Sequence, residues 1–144
     1  MGLTLSNHCA YEAHYHVVFP VKYRKPLLSP EVISSIREIS HAIEERYEME
    51  FEQIGFDGDH IHILCSFHPK ISGSQFVQMF KSITARELFK KFPELKKELW
   101  GGEFWTDGYY IATVSKRGSW EIVERYVRDQ GKTTGKNYQL TLWG

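Results

Sequence analysis

The sequence predicts an α+β domain with a ferredoxin-like (RRM-like) antiparallel sheet, helices on one face of that sheet, and a further helix near the C-terminal end. The first observation is the succession of alternating and helical apolar patterns, which follow the order β-α-β-β-α-β of a split βαβ unit. The second is the length of 144 residues, which suits one domain with its own core. Residues 1–144 are therefore predicted to form a single domain without internal repeats. The tail 131–144 has no assigned place, since residues 137–143 suit either an extra strand or a dimer arm.

The first third of the chain predicts one strand followed by one helix. Residues 10–19 alternate well enough for a strand. Ser29 suits the N-cap of the helix because its hydroxyl can accept a hydrogen bond from a free backbone amide, and Pro30 suits the first turn. The helical stripe predicted to be buried consists of Val32, Ile36, Ile39, Ile43 and Tyr47.

A hairpin is predicted next. Residues 49–56 suit a second strand, the Asp-Gly-Asp sequence 57–59 a tight turn, and residues 60–67 a third strand. Successive side chains of a strand point to opposite faces of the sheet. Cys65 is therefore predicted to face away from His60 and His62 and to serve in packing.

The remaining pattern predicts a second helix, a fourth strand and a closing helix. Residues 74–91 carry apolar side chains at helical spacing, and Pro93 ends that helix. The fourth strand is predicted over residues 108–115 and the closing helix over residues 119–130, with Gly131 as its stop. The buried positions expected on the second helix are Phe76, Phe80, Ile83 and Leu88.

Composition excludes several classes of protein. No apolar run approaches the roughly 20 residues needed to cross a bilayer, and the N-terminus lacks the basic and apolar regions of a signal peptide. Cys9 and Cys65 lack zinc-site spacing and predict reduced thiols. There is no Walker loop, dinucleotide fingerprint or nucleophilic-serine elbow. A cytoplasmic protein without membrane contact is expected.

The charges are unevenly placed along the chain, although the formal net charge is zero. Residues 31–59 hold nine acids and two bases, whereas segments 22–25, 81–97 and 116–136 are net basic. A bipolar molecule of this kind suits a polyanionic substrate, while each run taken singly is an ordinary solvated face. Lys22, Tyr23 and Arg24 are candidates for DNA contacts, with an ordinary basic turn as the equal alternative.

His60 and His62 first suggest a chemical function. Two positions apart on one strand, they project from the same face about 7 Å apart, and such a pair can hold one divalent metal ion. A His-x-His pair on a strand is nevertheless more often packing or surface, and His14 and His16 form a second one. His14 and His16 are left outside the predicted metal site.

Tyr126 and Gln130 lie one helical turn apart on the closing helix and therefore share one of its faces. A tyrosine and a neutral amide would complete the histidine site. Taken alone, Tyr126 lies on the apolar stripe and suits a half-buried core tyrosine. Only the occurrence of these residues together with His60 and His62, within the framework of a known family, favours a functional role.

The chain resembles the single-tyrosine HUH (histidine, hydrophobic, histidine) transposases of the 200/605 group of insertion sequences, a superfamily that includes the TnpA-like and REP-associated tyrosine transposases. The resemblance runs from about residue 15 to residue 130. Five segments carry it in order: 15–24 (YHVVFPVKYR), 59–62 (DHIH), 92–102 (FPELKKELWGG), 108–114 (GYYIATV) and 126–130 (YVRDQ).

The resemblance implies a mechanism and a substrate. In the family the tyrosine that corresponds to Tyr126 forms a 5′-phosphotyrosine link to single-stranded DNA and leaves a 3′-hydroxyl. His60, His62 and Gln130 would hold the divalent metal ion, magnesium or manganese. The implied protein is a homodimer that recognises subterminal DNA hairpins at insertion-sequence ends and cleaves and rejoins the strands there.

Other functions remain open at this point. A domesticated relative that processes repeated palindromes would share the same residues. A non-catalytic single-stranded nucleic-acid-binding domain would share the strand order of RNA-recognition modules, but the third strand carries His60 and His62 where such modules place stacking aromatics. A replication initiator would need room for a helicase. Trp100, Phe104 and Trp105 can stack on unpaired bases, although core or dimer packing is the expected role.

Overall fold

The protein is described by a computed structural model that covers residues 4–5, 10–11 and 13–114. Two α-helices and six strands are found in this part of the chain, together with three short 3-10 helices. The 3-10 helices span Lys22–Arg24, Pro93–Glu98 and Trp100–Gly102. The main elements are β1 (Thr4–Leu5), β2 (Ala10–Tyr11), β3 (His14–Pro20), α1 (Pro30–Arg46), β4 (Met49–Asp57), β5 (His60–Phe67), α2 (Gly73–Lys91) and β6 (Tyr110–Val114).

The main sheet has four strands in the order β4-β5-β3-β6, and all neighbouring pairs are antiparallel. From β3 to β6 the elements follow one another as β-α-β-β-α-β. The predicted α+β, ferredoxin-like class is therefore confirmed. The helix predicted over residues 119–130, its stop at Gly131 and the tail 131–144 lie outside the described residues.

The predicted first strand needs a correction. Residues 10–19 were expected to form one strand, but they divide into β2 and β3. β2 pairs with β1 in a separate two-stranded sheet, while β3 pairs with β5 and β6 in the main sheet. Alternation along the sequence gives the period of a strand and contains no information about which partner each half takes.

The hairpin β4–β5 agrees closely with its prediction. β5 has the predicted bounds, and β4 is one residue longer than expected. The turn consists of Gly58 and Asp59, and Gly58 has a φ of +52° that glycine adopts without steric cost. Asp57 pairs with His60 across the two strands, so this turn fixes where the first histidine enters the sheet.

Local capping explains where the helices begin. Ser29 caps α1, and its hydroxyl accepts from the backbone amide of Val32 at 3.3 Å, as predicted. α2 begins after Ser72, one residue before the predicted start. Ser72 and Gln75 form a capping box in which each side chain accepts from the other residue's backbone amide. This capping box was not predicted from the sequence.

One apolar core joins both helices to one face of the sheet. β5 contributes Ile61, Ile63, Cys65 and Phe67 to this core, which confirms the packing role of Cys65. Burial also raises the pKa of the Cys65 thiol well above its usual value. Ile39, Tyr47 and Ile83 are only partly buried. The residues of the predicted helical stripes that are fully buried are Val32, Ile36, Ile43, Phe76, Phe80 and Leu88.

Thr84 and Lys81 of α2 bind the segment before β6 through hydrogen bonds. The Trp105 indole donates to Thr84 Oγ1 at 2.8 Å, and the Thr84 hydroxyl donates to the Phe80 carbonyl at 2.7 Å. The Lys81 ammonium donates to the carbonyls of Thr106 and Gly108 at 2.6 and 3.1 Å. Burial lowers the pKa of Lys81 to about 8. These contacts fix the path of the chain into β6.

No helix within the described residues is long and apolar enough to cross a membrane.

The contact between Thr84 and Trp105 gives a test of this packing. Thr84→Val removes the hydroxyl that accepts the hydrogen bond of the buried Trp105 indole, so the indole N–H loses this partner. We expect the free energy of unfolding to fall by about 1–3 kcal/mol, measured by chemical denaturation. Thr84→Ser keeps the hydroxyl and is the control, with a loss of about 1 kcal/mol or less. A larger loss in Thr84→Ser than in Thr84→Val would contradict the hydrogen-bonding role.

Candidate functional site

His60 and His62 lie on β5, on the face of the sheet opposite the apolar core. Across the ladder His62 pairs with Val18 of β3 and with Gly55 of β4, and His60 pairs with Pro20 and Asp57. Directly paired residues share a face of an antiparallel sheet. The two imidazole centroids are 4.7 Å apart with an interplanar angle of 62°. The sequence prediction that both rings share one face is therefore confirmed.

Both histidines are buried, with 3% and 2% of their surface exposed. Neither nitrogen of His62 has a hydrogen-bond partner, and the same is true of His60 Nε2. Burial, followed by the charges of His60 and His16, lowers the pKa of His62 to about 3. His62 is therefore a neutral imidazole at physiological pH, with an unshared electron pair on a buried nitrogen.

Two aspartates flank His60. Asp59 Oδ1 accepts from His60 Nδ1 at 2.5 Å, and Asp57 Oδ2 lies 3.6 Å from His60 Nε2. Asp59 Oδ2 also accepts from Arg24 Nε at 3.3 Å. Burial alone would raise the pKa of Asp59, but the hydrogen bonds and charges of His60 and Arg24 outweigh it and lower the pKa. From the sequence, both aspartates were predicted as part of the tight turn 57–59, and their contacts with His60 were not predicted.

A second polar cluster lies on the same face of the sheet, farther along β3 and β5. His14 Nδ1 and Glu52 Oε1 are 3.3 Å apart, and the Ser66 hydroxyl donates to Glu52 Oε2 at 3.4 Å. Burial and then the neighbouring Glu50 raise the pKa of Glu52 to about 8. His16 lies between the cluster and the histidine pair, and its ring stacks on His62 at 6.1 Å.

The donors present fit a divalent metal ion in part. His60 Nε2 and the nitrogens of His62 are buried donors without partners, and neutral imidazole is the form that binds metals. No group of three or more His, Cys, Asp and Glu side chains suited to a metal was found within residues 13–114.

The basic turn, defined as Lys22, Tyr23, Arg24 and Lys25, follows β3 directly. Tyr23 and Arg24 have φ values of +59° and +53°, which non-glycine residues rarely adopt. Each cation is paired with an acid: Lys22 with Glu103 at 2.9 Å, Arg24 with Asp59 at 3.3 Å, and Lys25 with Glu98 at 3.5 Å.

Two exposed aromatic side chains mark this surface. Tyr23 is 57% exposed and Trp100 82% exposed, and the Tyr23 hydroxyl is 3.5 Å from the Trp100 carbonyl. Phe104 and Trp105 are buried, as expected for core residues. Trp100 was expected to pack in the core or in a dimer, and the core role is wrong. Gly101 and Gly102, which follow Trp100, both have positive φ.

A cleft of about 480 Å³ lies between α2 and residues 102–109, and it contains none of the predicted site residues. Lys81 lines this cleft and already donates to backbone carbonyls. The candidate site is therefore the histidine face of the sheet with the basic turn at its edge. Tyr126 and Gln130 lie outside the described residues, so the structure does not test their predicted roles.

The chain is similar to known transposases along most of its length. The family described as "Transposase IS200 like" matches residues 9–130. The ISDra2 transposase TnpA of Deinococcus radiodurans is 34% identical over 120 residues, which cover 83% of this chain and 85% of that protein. The transposase for insertion sequence element IS200 of Salmonella typhimurium is 29% identical over 135 residues, covering 94% and 88%.

Two solved structures are similar. A candidate transposase from Deinococcus radiodurans R1 superposes with a TM-score of 0.70 at 29% identity, over 88% of this chain and 97% of that one. A REP-associated tyrosine transposase bound to a REP hairpin gives a TM-score of 0.62 at 11% identity, over 91% and 75%. The second similarity shows the fold alone.

Glu52 gives a pH test of the histidine face. Its pKa is raised from 4.5 to about 8, so the folded protein binds a proton that the unfolded chain releases between these values. The free energy of unfolding of wild type minus that of Glu52→Gln should therefore fall as the pH rises from about 5 to 8. Above pH 8 this difference should stay constant. The stability difference should change by at most about 1.4 kcal/mol per pH unit, and solvent screening makes this change smaller.

Denaturant unfolding of both proteins at several pH values measures this difference. Glu94→Gln, at an exposed carboxylate in the first turn of the 3-10 helix Pro93–Glu98, is the control for the same change of side chain at the protein surface. A stability difference that is independent of pH would show that Glu52 is ionised throughout.

Proposed function

The chain belongs to the IS200-like transposase family, and from that membership we propose that it cleaves and rejoins single-stranded DNA at insertion-sequence ends through a metal-dependent, single-tyrosine HUH mechanism. The observation that carries the proposal is the pair of buried imidazoles on β5, in which His60 Nε2 and both nitrogens of His62 lack hydrogen-bond partners. A buried polar atom without a partner costs free energy. A ligand that accepts these electron pairs would remove that cost.

The proposed metal site consists of His60, His62 and Gln130, with magnesium or manganese as the ion. Its chemistry would be to polarise a phosphodiester oxygen as a Lewis acid. Because all three ligands are neutral, such an ion would keep its full positive charge. His60 and His62 are already held in place by the ladder and by burial, so they need little rearrangement to act as ligands.

Tyr126 is the proposed nucleophile. Its phenolic oxygen loses its proton and forms a bond to the 5′-phosphorus, while the bond from phosphorus to the 3′-oxygen breaks. The 3′-oxygen takes up a proton and leaves as a hydroxyl, so no proton is gained or lost in the whole step. The phosphotyrosine link keeps the energy of the phosphodiester, so a second strand's 3′-hydroxyl can reverse the reaction without ATP. Tyr126 follows β6 in the sequence, and Val114 of β6 packs with Leu64 on the histidine face.

The basic turn and Trp100 are the proposed DNA contacts. Lys22, Tyr23 and Arg24 lie at the end of β3, next to the strand that carries the histidines. Trp100 is 82% exposed, and exposed aromatic rings of this kind stack on unpaired bases. DNA hairpins with flanking single strands supply both phosphates and unpaired bases, and such a substrate would place the activity in the cytoplasm with cellular DNA.

The proposed active form is a homodimer. Within the described residues β4 and β6 end the main sheet, and each pairs with one neighbour. An open strand edge can pair with a second copy of the chain.

The histidine pair can be tested by metal titration. His62→Ala removes one of the two described donors, and we expect the affinity for Mn²⁺ to fall about tenfold or more. Isothermal calorimetry or the loss of the free-ion electron paramagnetic resonance signal measures this. His41→Ala is the matched control, because His41 is 73% exposed on α1 and pairs with Glu44. Equal affinity in wild type and His62→Ala would remove the pair from the metal site.

Tyr126 can be tested separately from DNA binding. Tyr126→Phe removes only the attacking oxygen, so it should bind a hairpin-bearing single strand about as well as wild type and form no covalent adduct. Denaturing gels detect the adduct, and mobility shifts detect binding. A surviving adduct would identify another nucleophile, with Tyr23, Tyr109, Tyr110 and Tyr138 as the residues to examine. The absence of an adduct in wild type as well would favour a non-catalytic binding domain.

A further inference from the structure

The Asp59 carboxylate connects an exposed arginine to a buried histidine. Its Oδ1 accepts from His60 Nδ1 and its Oδ2 accepts from Arg24 Nε. The exposed fraction of the side chain falls along this series, from 38% for Arg24 through 28% for Asp59 to 4% for His60. The three residues therefore form a continuous path from the protein surface to the histidine face.

The bond to Asp59 determines which nitrogen of His60 carries the proton. An ionised carboxylate only accepts hydrogen bonds, so Nδ1 must be the protonated nitrogen. In the neutral ring Nε2 then keeps the unshared electron pair. Nε2 is buried without a hydrogen-bond partner, and Asp57 Oδ2 faces it at 3.6 Å, which is beyond hydrogen-bond distance. The partner of one ring nitrogen thus prepares the other nitrogen to bind a cation.

A backbone hydrogen bond also supports the arrangement of Arg24, Asp59 and His60. The Val21 amide donates to the Asp59 carbonyl at 2.7 Å, so the hairpin turn before His60 is fastened to the end of β3. Tyr23 and Arg24 then take left-handed conformations, which cost of the order of 1 kcal/mol or more each for such residues. The turn that has this unfavourable backbone geometry is the one that places Arg24 within hydrogen-bond distance of Asp59.

We propose that Asp59 is a positioning residue that fixes the tautomer of His60, and that Arg24 acts through Asp59 rather than only as a DNA contact. The inference rests on the proposed metal role of His60. The proposal gives Arg24 a role that Lys22 and Lys25 do not have, because those two cations pair with Glu103 and Glu98 and not with Asp59.

The first experiment measures the tautomer without metal. Nitrogen-15 correlation spectra of the metal-free protein, labelled at histidine, should show His60 protonated at Nδ1 in wild type. Asp59→Ala should shift His60 toward the Nε2-protonated form, whereas Asp59→Asn keeps an acceptor oxygen and should retain the wild-type tautomer. If His60 in wild type carries its proton on Nε2, the proposal is wrong. Asp59→Asn also keeps the test decisive if Asp59→Ala does not fold.

The second experiment measures Mn²⁺ affinity in the same variants. We expect Asp59→Ala to lose about 10–100-fold, as for other partners of metal-binding histidines. Arg24→Ala should lose about threefold or more, and should cause no further loss when combined with Asp59→Ala, since coupled residues are not additive. Lys25→Ala removes a cation from the same turn and should leave the affinity unchanged.

The outcomes separate this inference from the proposed function. Weaker DNA binding by Arg24→Ala with unchanged Mn²⁺ affinity would make Arg24 a DNA contact only and would overturn its role through Asp59. If wild type itself fails to bind Mn²⁺ at the histidines, the metal-dependent mechanism fails, while the tautomer spectra still decide whether Asp59 positions His60.

Discussion

The site depends on one constraint, which is that β5 is buried on both faces while it lies between β3 and β4. All eight of its residues are buried. Alternation assigns Ile61, Ile63, Cys65 and Phe67 to the apolar core, so His60 and His62 must occupy the other face. The ladders to both neighbours prevent a shift in register, because a slip by one residue would exchange the two faces. The rigid core therefore sets the separation and the direction of the two imidazoles.

The histidine face is costly for a protein that needs only to fold. Buried imidazole nitrogens without partners lose their bonds to water and gain nothing in return. Apolar residues at the same positions would avoid this cost. Violations of local folding rules are expected at functional sites, and this one lies beside a turn with two left-handed non-glycine residues. The two irregular features are joined through Asp59.

The sequence predicted those features that depend on short-range patterns. The bounds of β5, the cap at Ser29 and the opposed faces of Cys65 and His62 all follow from local periodicity and hydrogen bonding. Features that depend on contacts between distant segments were missed. The partner change between β2 and β3, the exposure of Trp100 and the pairing of Arg24 with Asp59 each depend on residues far away in the chain. The roles of Tyr126 and Gln130 come from the family resemblance, and the described residues do not include them.

The ion pairs of the basic turn divide its cations into two kinds. The pairs of Lys22 with Glu103 and of Lys25 with Glu98 involve glutamates that are more than half exposed. Exposed pairs contribute little to stability, about 0–1 kcal/mol, so a phosphate can replace either glutamate with little loss. Asp59 is less exposed and is also bonded to His60 and, through its backbone carbonyl, to Val21. A phosphate that took Arg24 from Asp59 would act on the histidine site as well. Under the proposed function, the same short turn therefore offers DNA two cations, Lys22 and Lys25, and a third, Arg24, whose release from Asp59 would also change the proposed metal site.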